Sequence, residues 1–180
     1  IRDDAGRRLG DRQIGKVFVA GPSIMTGYFR DEISTRAALQ GRWLDTGDMG
    51  YMLDGALYIV GRAKDMIIIN GKNHWPQDIE WAVEQLPGFK AGDIAAFSIT
   101  TTSGEEAPAV LVQCRTTDAA ERADLRETIK AKVRAITGMN CIVELVPPRT
   151  LPRTSSGKLS RSKARALYVS GQIQPFDIAA

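Results

Sequence analysis

Between residues 15 and 62 the apolar positions come in short runs broken by turn residues. KVFVAG (16–21) reads as a short strand, and DMGYMLDGALYIVGR (48–62) as a hairpin turned at Asp54-Gly55. Pieces this short cannot bury a core alone, which predicts that 1–62 is the β-rich tail of a larger domain continuing upstream. From residue 63 the period changes. DMIIING (65–71) is a strand ending in an Asn70-Gly71 turn. Pro76 then opens a helix, with Asp78 in its first turn and Ile79, Val83 and Leu86 on its buried stripe. DIAAFSIT (93–100) and APAVLVQC (107–114) are apolar strands joined by a turn around Ser103-Gly104-Glu105. Asp118 and Glu121 resemble a capping box for a helix carrying Leu125, Ile129, Val133 and Ile136 and ending at Gly138. CIVELVP (141–147) is a further strand, and 159–168 a last, basic helix. This order predicts a small α/β domain over 63–180, a small mixed sheet flanked by helices. Residues 147–157 stand apart. They hold three prolines, a Ser/Thr series and no apolar periodicity, so the segment is expected to be exposed and mobile.

Composition changes this picture only locally. With 43% hydrophobic and 25% charged residues the 180-residue chain reads as globular, and no apolar run approaches the ~20 residues that span a bilayer. It opens on IRDDAGRRLGD without a methionine or a signal-like segment, and so reads as a piece of something longer. Cys114 and Cys141 lie in apolar runs and read as buried reduced thiols, which suits the cytoplasm. His74 is the only histidine, which argues against a histidine metal cluster and a Ser-His triad; it reads as surface or packing. Trp43 and Trp81 read as structural aromatics. Six of the 24 basic residues fall between 149 and 165 with no acid among them, leaving 18 against 21 acidic residues elsewhere. A local cationic segment points to an anionic ligand or partner there, not to a nucleic-acid-coating surface. Within it, Arg161, Lys163 and Arg165 read as the solvated face of the last helix, with docking of an acidic carrier protein as the lesser reading.

That segment contains LPRTSSGKLSRSKAR (151–165), in which Lys158 is a solvated loop charge, a phosphate-cradling lysine or a reactive group on a moving arm. A Walker-type loop needs glycine five positions before the Gly-Lys pair and a hydroxyl directly after it. Pro152 and Leu159 occupy those positions, and Gly71-Lys72 fails likewise with Met66 and Asn73. The phosphate-loop reading is rejected.

Four stretches read in order, GPSIMTGYF (21–29), RWLDTGD (42–48), GRAKDMIIINGKNHWPQDIE (61–80) and PRTSSGKLSR (152–161), resemble the adenylate-forming enzymes. These comprise acyl-CoA synthetases, nonribosomal-peptide adenylation domains and luciferase, and the resemblance covers nearly the whole chain. KDMIIINGKNHWPQDIE looks most like the fatty acyl-AMP ligases, because typical CoA ligases place a different pair after the glycine and end in Pro-x-Glu-hydrophobic-Glu.

The resemblance implies a small C-terminal lid domain over 63–180. It makes Lys158 the catalytic lysine, bridging a substrate carboxylate and the α-phosphate of ATP. Two such anions ~4 Å apart repel by about 4 kcal/mol at an effective dielectric of 20, and a bridging cation reverses that cost. It assigns Asp48 to the ribose hydroxyls, against a turn-capping role, and Arg62 to the nucleotide, against a surface salt bridge. Lys64 becomes the hinge that swings the lid so a thiol can enter. Gly71, Lys72, Asn73 and Trp75 become the acceptor-tunnel loop, against a plain hairpin turn. ATP with Mg²⁺, whose ligands would lie upstream, a fatty acid and an acyl carrier protein (or CoA) are the implied partners. The chain alone is expected to be inactive. An acyl-CoA synthetase or amino-acid adenylation domain is the nearest alternative, and a non-catalytic anion-binding module the distant one.

Overall fold

The computed structural model describes residues 1–69 and 71–177. The chain folds as two compact units, Ile1–Lys64 and Asp65–Ala180. The first is an antiparallel sheet centred on the long strand β3. Strands β1 (Gly15–Val19) and β2 (Leu39–Gln40) pair with β3 (Trp43–Leu53), which also pairs with β4 (Ala56–Arg62). Asp54 and Gly55 turn the β3–β4 hairpin, both at positive φ as its two-residue connection requires. A short helix, α1 (Glu32–Ala38), adds to the strands that the pattern predicts; its N-cap Asp31 accepts from the Ser34 amide. Among the described residues of this unit Val17 is the one buried aliphatic side chain, while Leu57, Tyr58 and Ile59 of β4 stay exposed.

The second unit is layered. Strands β5 (Ile67–Ile69) and β6 (Lys72–His74) form a hairpin; the expected Asn70-Gly71 turn involves Asn70, which lies outside the described residues. Helix α2 (Pro76–Glu84) follows. A three-stranded sheet is then built from β7 (Ile94–Thr100), β8 (Glu106–Gln113) and β9 (Ile142–Val146), with β7 antiparallel and β9 parallel to β8. Helix α3 (Ala119–Thr137) makes the β8–β9 crossover and α4 (Arg161–Val169) covers the other face.

The uninterrupted apolar runs of β7 and β8 follow from burial on both faces. Ile94, Ala96, Val110 and Val112 pack with Ile79, Val83, Ile129 and Val133 of α2 and α3. Ala95, Phe97, Ala109 and Leu111 pack with Ala164 of α4 and with Leu151. Among the described residues no helix is long and apolar enough to cross a membrane.

Several expectations need correction. Ile136 is half exposed, because the buried stripe of α3 ends with Val133 and the helix has one turn left before Gly138 closes it. Asp118 caps α3 by accepting from the Ala120 and Glu121 amides. The Glu121 carboxylate, however, takes the Thr116 hydroxyl instead of reaching back, so the box is half made. Trp81 is 65% exposed, pointing away from the stripe formed by its neighbours. The last helix begins at Arg161, two residues later than expected.

Candidate functional site

Lys158 sits on a closed turn. The Thr154 amide donates to the Lys158 carbonyl (2.8 Å), and the Gly157 amide to the Thr154 carbonyl (2.9 Å). The Lys158 amide donates to Thr154 Oγ1 (3.1 Å), and the Thr154 and Ser156 hydroxyls share a further bond. Gly157 lies at φ +80, a conformation glycine adopts without strain. The Ser/Thr series therefore builds the turn itself. The segment expected to be exposed and mobile is exposed from Arg153 to Lys158 and hydrogen-bonded at its base. Leu151 is buried, Arg153 and Leu159 bridge, and the Ser160 amide bonds the Pro152 carbonyl. Arg153 braces the turn from the side, donating to the carbonyls of Gly157 (3.0 Å) and Gly92 (3.2 Å). Lys158 itself is exposed and joins no ion pair among the described residues.

Behind the turn lies a buried ion pair that the sequence reading missed. Arg161, the first residue of α4, donates Nε and Nη2 to the two carboxylate oxygens of Glu80 (2.7 and 2.6 Å) and Nη1 to Asp65 (3.4 Å). The Ala96 amide adds a further bond to Glu80. Burial raises the Glu80 carboxyl above its usual range, while Arg161 and that amide pull it back. Glu80 in turn raises the Arg161 guanidinium. Arg161 is thus not a solvated charge; it fastens the lysine turn to α2 and to the residue after Lys64. A signal was present. Pro76, Ile79, Glu80 and Val83 share one helical face, and a carboxylate on an otherwise buried stripe demands a cation. Arg165 is likewise engaged, donating to the Ser98 carbonyl, whereas Lys163 is exposed.

In the first unit Asp48 and Arg62 are cross-strand partners on β3 and β4, joined at 3.0 Å. Turn capping falls to Asp45, which accepts from the Gly47 amide; Thr46 Oγ1 takes the Asp48 amide, leaving the Asp48 carboxylate to the arginine. Arg62 and Lys64 line a cleft of about 590 Å³ together with Thr46, Gly47, Asp31 and Asp45. Lys64 lies in a single 3₁₀ turn, Ala63–Asp65, and is the last residue of the first unit, two residues past Arg62.

Gly71 is at φ +71; Lys72 and Asn73 are exposed on β6, paired with Ile69 and Ile68. Trp75 is the half-buried N-cap residue of α2. No hydrogen bond or ion pair among the described residues joins this segment to Lys158. His74 packs with its Nε2 buried and without a partner among the described residues, as does Gln77 Oε1. Both thiols are buried and free, and burial pushes Cys141 up to about 11. No group of three His, Cys, Asp or Glu side chains gathers to hold a metal among the described residues.

Comparisons with known proteins agree on a family. A Caulobacter vibrioides protein that carries an acyl-CoA synthetase name is 46% identical over 173 residues, 95% of this chain and 30% of that protein. The medium-chain-fatty-acid–[acyl-carrier-protein] ligase JamA of Moorena producens is 32% identical over 95% of this chain and 31% of its own length. A structure from work on fatty acyl-adenylate ligases of E. coli and L. pneumophila superimposes with a TM-score of 0.84. It is 42% identical and covers 96% of this chain and 30% of that one. The chain thus spans about 30% of the length of these relatives. The model of the AMP-binding enzyme C-terminal domain matches residues 71–163, just over half of the sequence. The chain belongs to the family of AMP-binding enzyme C-terminal domains.

Proposed function

We propose that the chain is the C-terminal part of a fatty acyl-AMP ligase, with the tail of the adenylating domain over 1–62 and a lid over 63–180. Lys158 carries the first half-reaction. A carboxylate oxygen attacks the α-phosphorus of ATP, pyrophosphate leaves, and the Lys158 ammonium offsets the charge where the two anions meet. The observation that carries this reading is the turn itself: it presents an unpaired ammonium while Arg153 and Arg161 fix its base.

Asp48 and Arg62 hold the ribose and phosphate side of the nucleotide, their ion pair setting the two side chains together on adjacent strands. Mg²⁺ bound to ATP would offset phosphate charge, with its ligands outside the residues described. Lys64 is the hinge. After the swing, Gly71, Lys72, Asn73 and Trp75 border the path of the second substrate. A phosphopantetheine thiolate of an acyl carrier protein attacks the acyl carbonyl, the thioester forms and AMP departs. The name of JamA supports a carrier-protein acceptor. That of the Caulobacter relative favours a second reading with CoA in the same role. Two free buried thiols fit a reducing compartment such as the cytoplasm.

Lys158→Ala in the intact enzyme is the test. Acyl-AMP formation should fall by at least ~10²-fold, as when one preorganised electrostatic group is lost, while transfer from preformed acyl-AMP is nearly spared. Equal loss in both half-reactions overturns the two-position lid. Offering carrier protein or free CoA to the wild-type enzyme separates the two acceptors.

A further inference from the structure

The cationic segment noted in the sequence is only partly used by the lysine turn. Lys158 is the reactive group, Arg161 is bound by Glu80 and Asp65, and Arg165 by Ser98. Arg149 and Arg153 instead face a cleft of about 830 Å³ within the second unit, and Arg115, just beyond β8, lines it too. Phe89, Leu125 and Pro148 add apolar wall. Among the described residues Arg115 and Arg149 make no ion pair and no side-chain hydrogen bond, and Arg153 donates only to neutral carbonyls. Asp93 is the single acid lining the cleft. It is already engaged, accepting from the Gln113 amide group (3.2 Å) and from the Lys90 backbone (3.1 Å). Arg149 is held at φ +69 by the turn that the Thr150 amide closes on the Pro147 carbonyl (3.3 Å). The volume falls in the range of small-molecule sites, which are mostly apolar with a few convergent polar groups.

We propose that this cleft binds a small amphipathic carboxylate, its head on Arg115 and Arg149 and its aliphatic body against Phe89, Leu125 and Pro148. Guanidinium forks suit a planar carboxylate, and three arginines against one engaged acid leave charge for it to neutralise. Occupancy reaches the lysine turn through Arg153, which lines the cleft and also holds the Gly157 carbonyl. The cleft itself contains neither Lys158 nor Asp48 and Arg62, so its binding does not require the adenylation chemistry proposed above.

Amide NMR of the full 180-residue chain tests this with octanoate, 1-octanol and inorganic phosphate as probes. Octanoate should give saturable shifts at Phe89, Arg115 and Thr150, and with the same midpoint at Gly157 and Lys158. Octanol, which lacks the charge, and phosphate, which lacks the body, should bind about tenfold more weakly or less. Arg115→Gln with Arg149→Gln changes two exposed, unpaired side chains, so the spectrum should stay dispersed while octanoate affinity drops about tenfold or more. Absent saturation, undiminished binding by octanol or phosphate alone, or a double variant that binds as well as wild type would each overturn the site. Cleft shifts that leave Gly157 and Lys158 unmoved would overturn the coupling.

Discussion

Unit Ile1–Lys64 buries one aliphatic side chain, Val17, among its described residues, whereas Asp65–Ala180 buries two clusters on opposite faces of one sheet. Their polar pairs differ in the same sense. Asp48–Arg62 is held by strand register and stays open to water; Glu80–Arg161 is enclosed and bidentate. A polar pair on a ladder is placed by backbone hydrogen bonds and remains available to a ligand. A pair inside a core is committed to positioning what is attached to it, here the Lys158 turn.

The sharpest way to break this contrast is to separate the units. Residues 65–180 alone should melt cooperatively by circular dichroism, and 1–64 alone should show no transition, since a unit without a core cannot offset its chain entropy. A cooperative melt of 1–64 would refute the contrast.

Next in size, Arg161→Met should cost ~3–5 kcal/mol in urea unfolding, the scale of leaving one buried charge unpaired. Losing the arginine removes the main influence lowering the Glu80 carboxyl, whose value burial already raises. The folded state then favours the protonated acid. Stability is retained below the ordinary glutamate range and declines as pH rises through the elevated value. A variant with flat pH dependence would place Glu80 in water.

Asp177 gives the opposite sign. Arg122 and Arg126 bond it and hold its carboxyl at about 2, down from 3.8. Its contribution is present above 3.8 and disappears as pH falls through 2, so Asp177→Asn should flatten that part of an acid titration. Smallest of all, Arg62→Gln should change stability by ~0–1 kcal/mol, as for exposed pairs, while weakening nucleotide binding in the intact enzyme.

Periodicity made the second unit legible because its elements are buried on regular stripes. The apolar strands over 93–100 and 107–114, the α2 stripe of Ile79 and Val83 and the Gly138 stop all appear as expected. What escaped was decided by distant partners. Helix α1 has no buried residue and so left no apolar signature. The neighbours of Trp81 make it read as structural, yet its own face is solvent. At the lysine turn the motif singles out Lys158, but the bracing by Arg153 and Arg161 depends on Gly92 and Glu80, far away in sequence.

Gly92 carries a consequence for genetics. At φ +84 it resists any side chain, and a β-carbon there would come within 2.9 Å of the Arg153 guanidinium. A Gly92→Ala exchange would strain the backbone there and press on the guanidinium that braces the lysine turn. The lesion would lie far from Lys158 in the sequence and still disturb the turn that carries it.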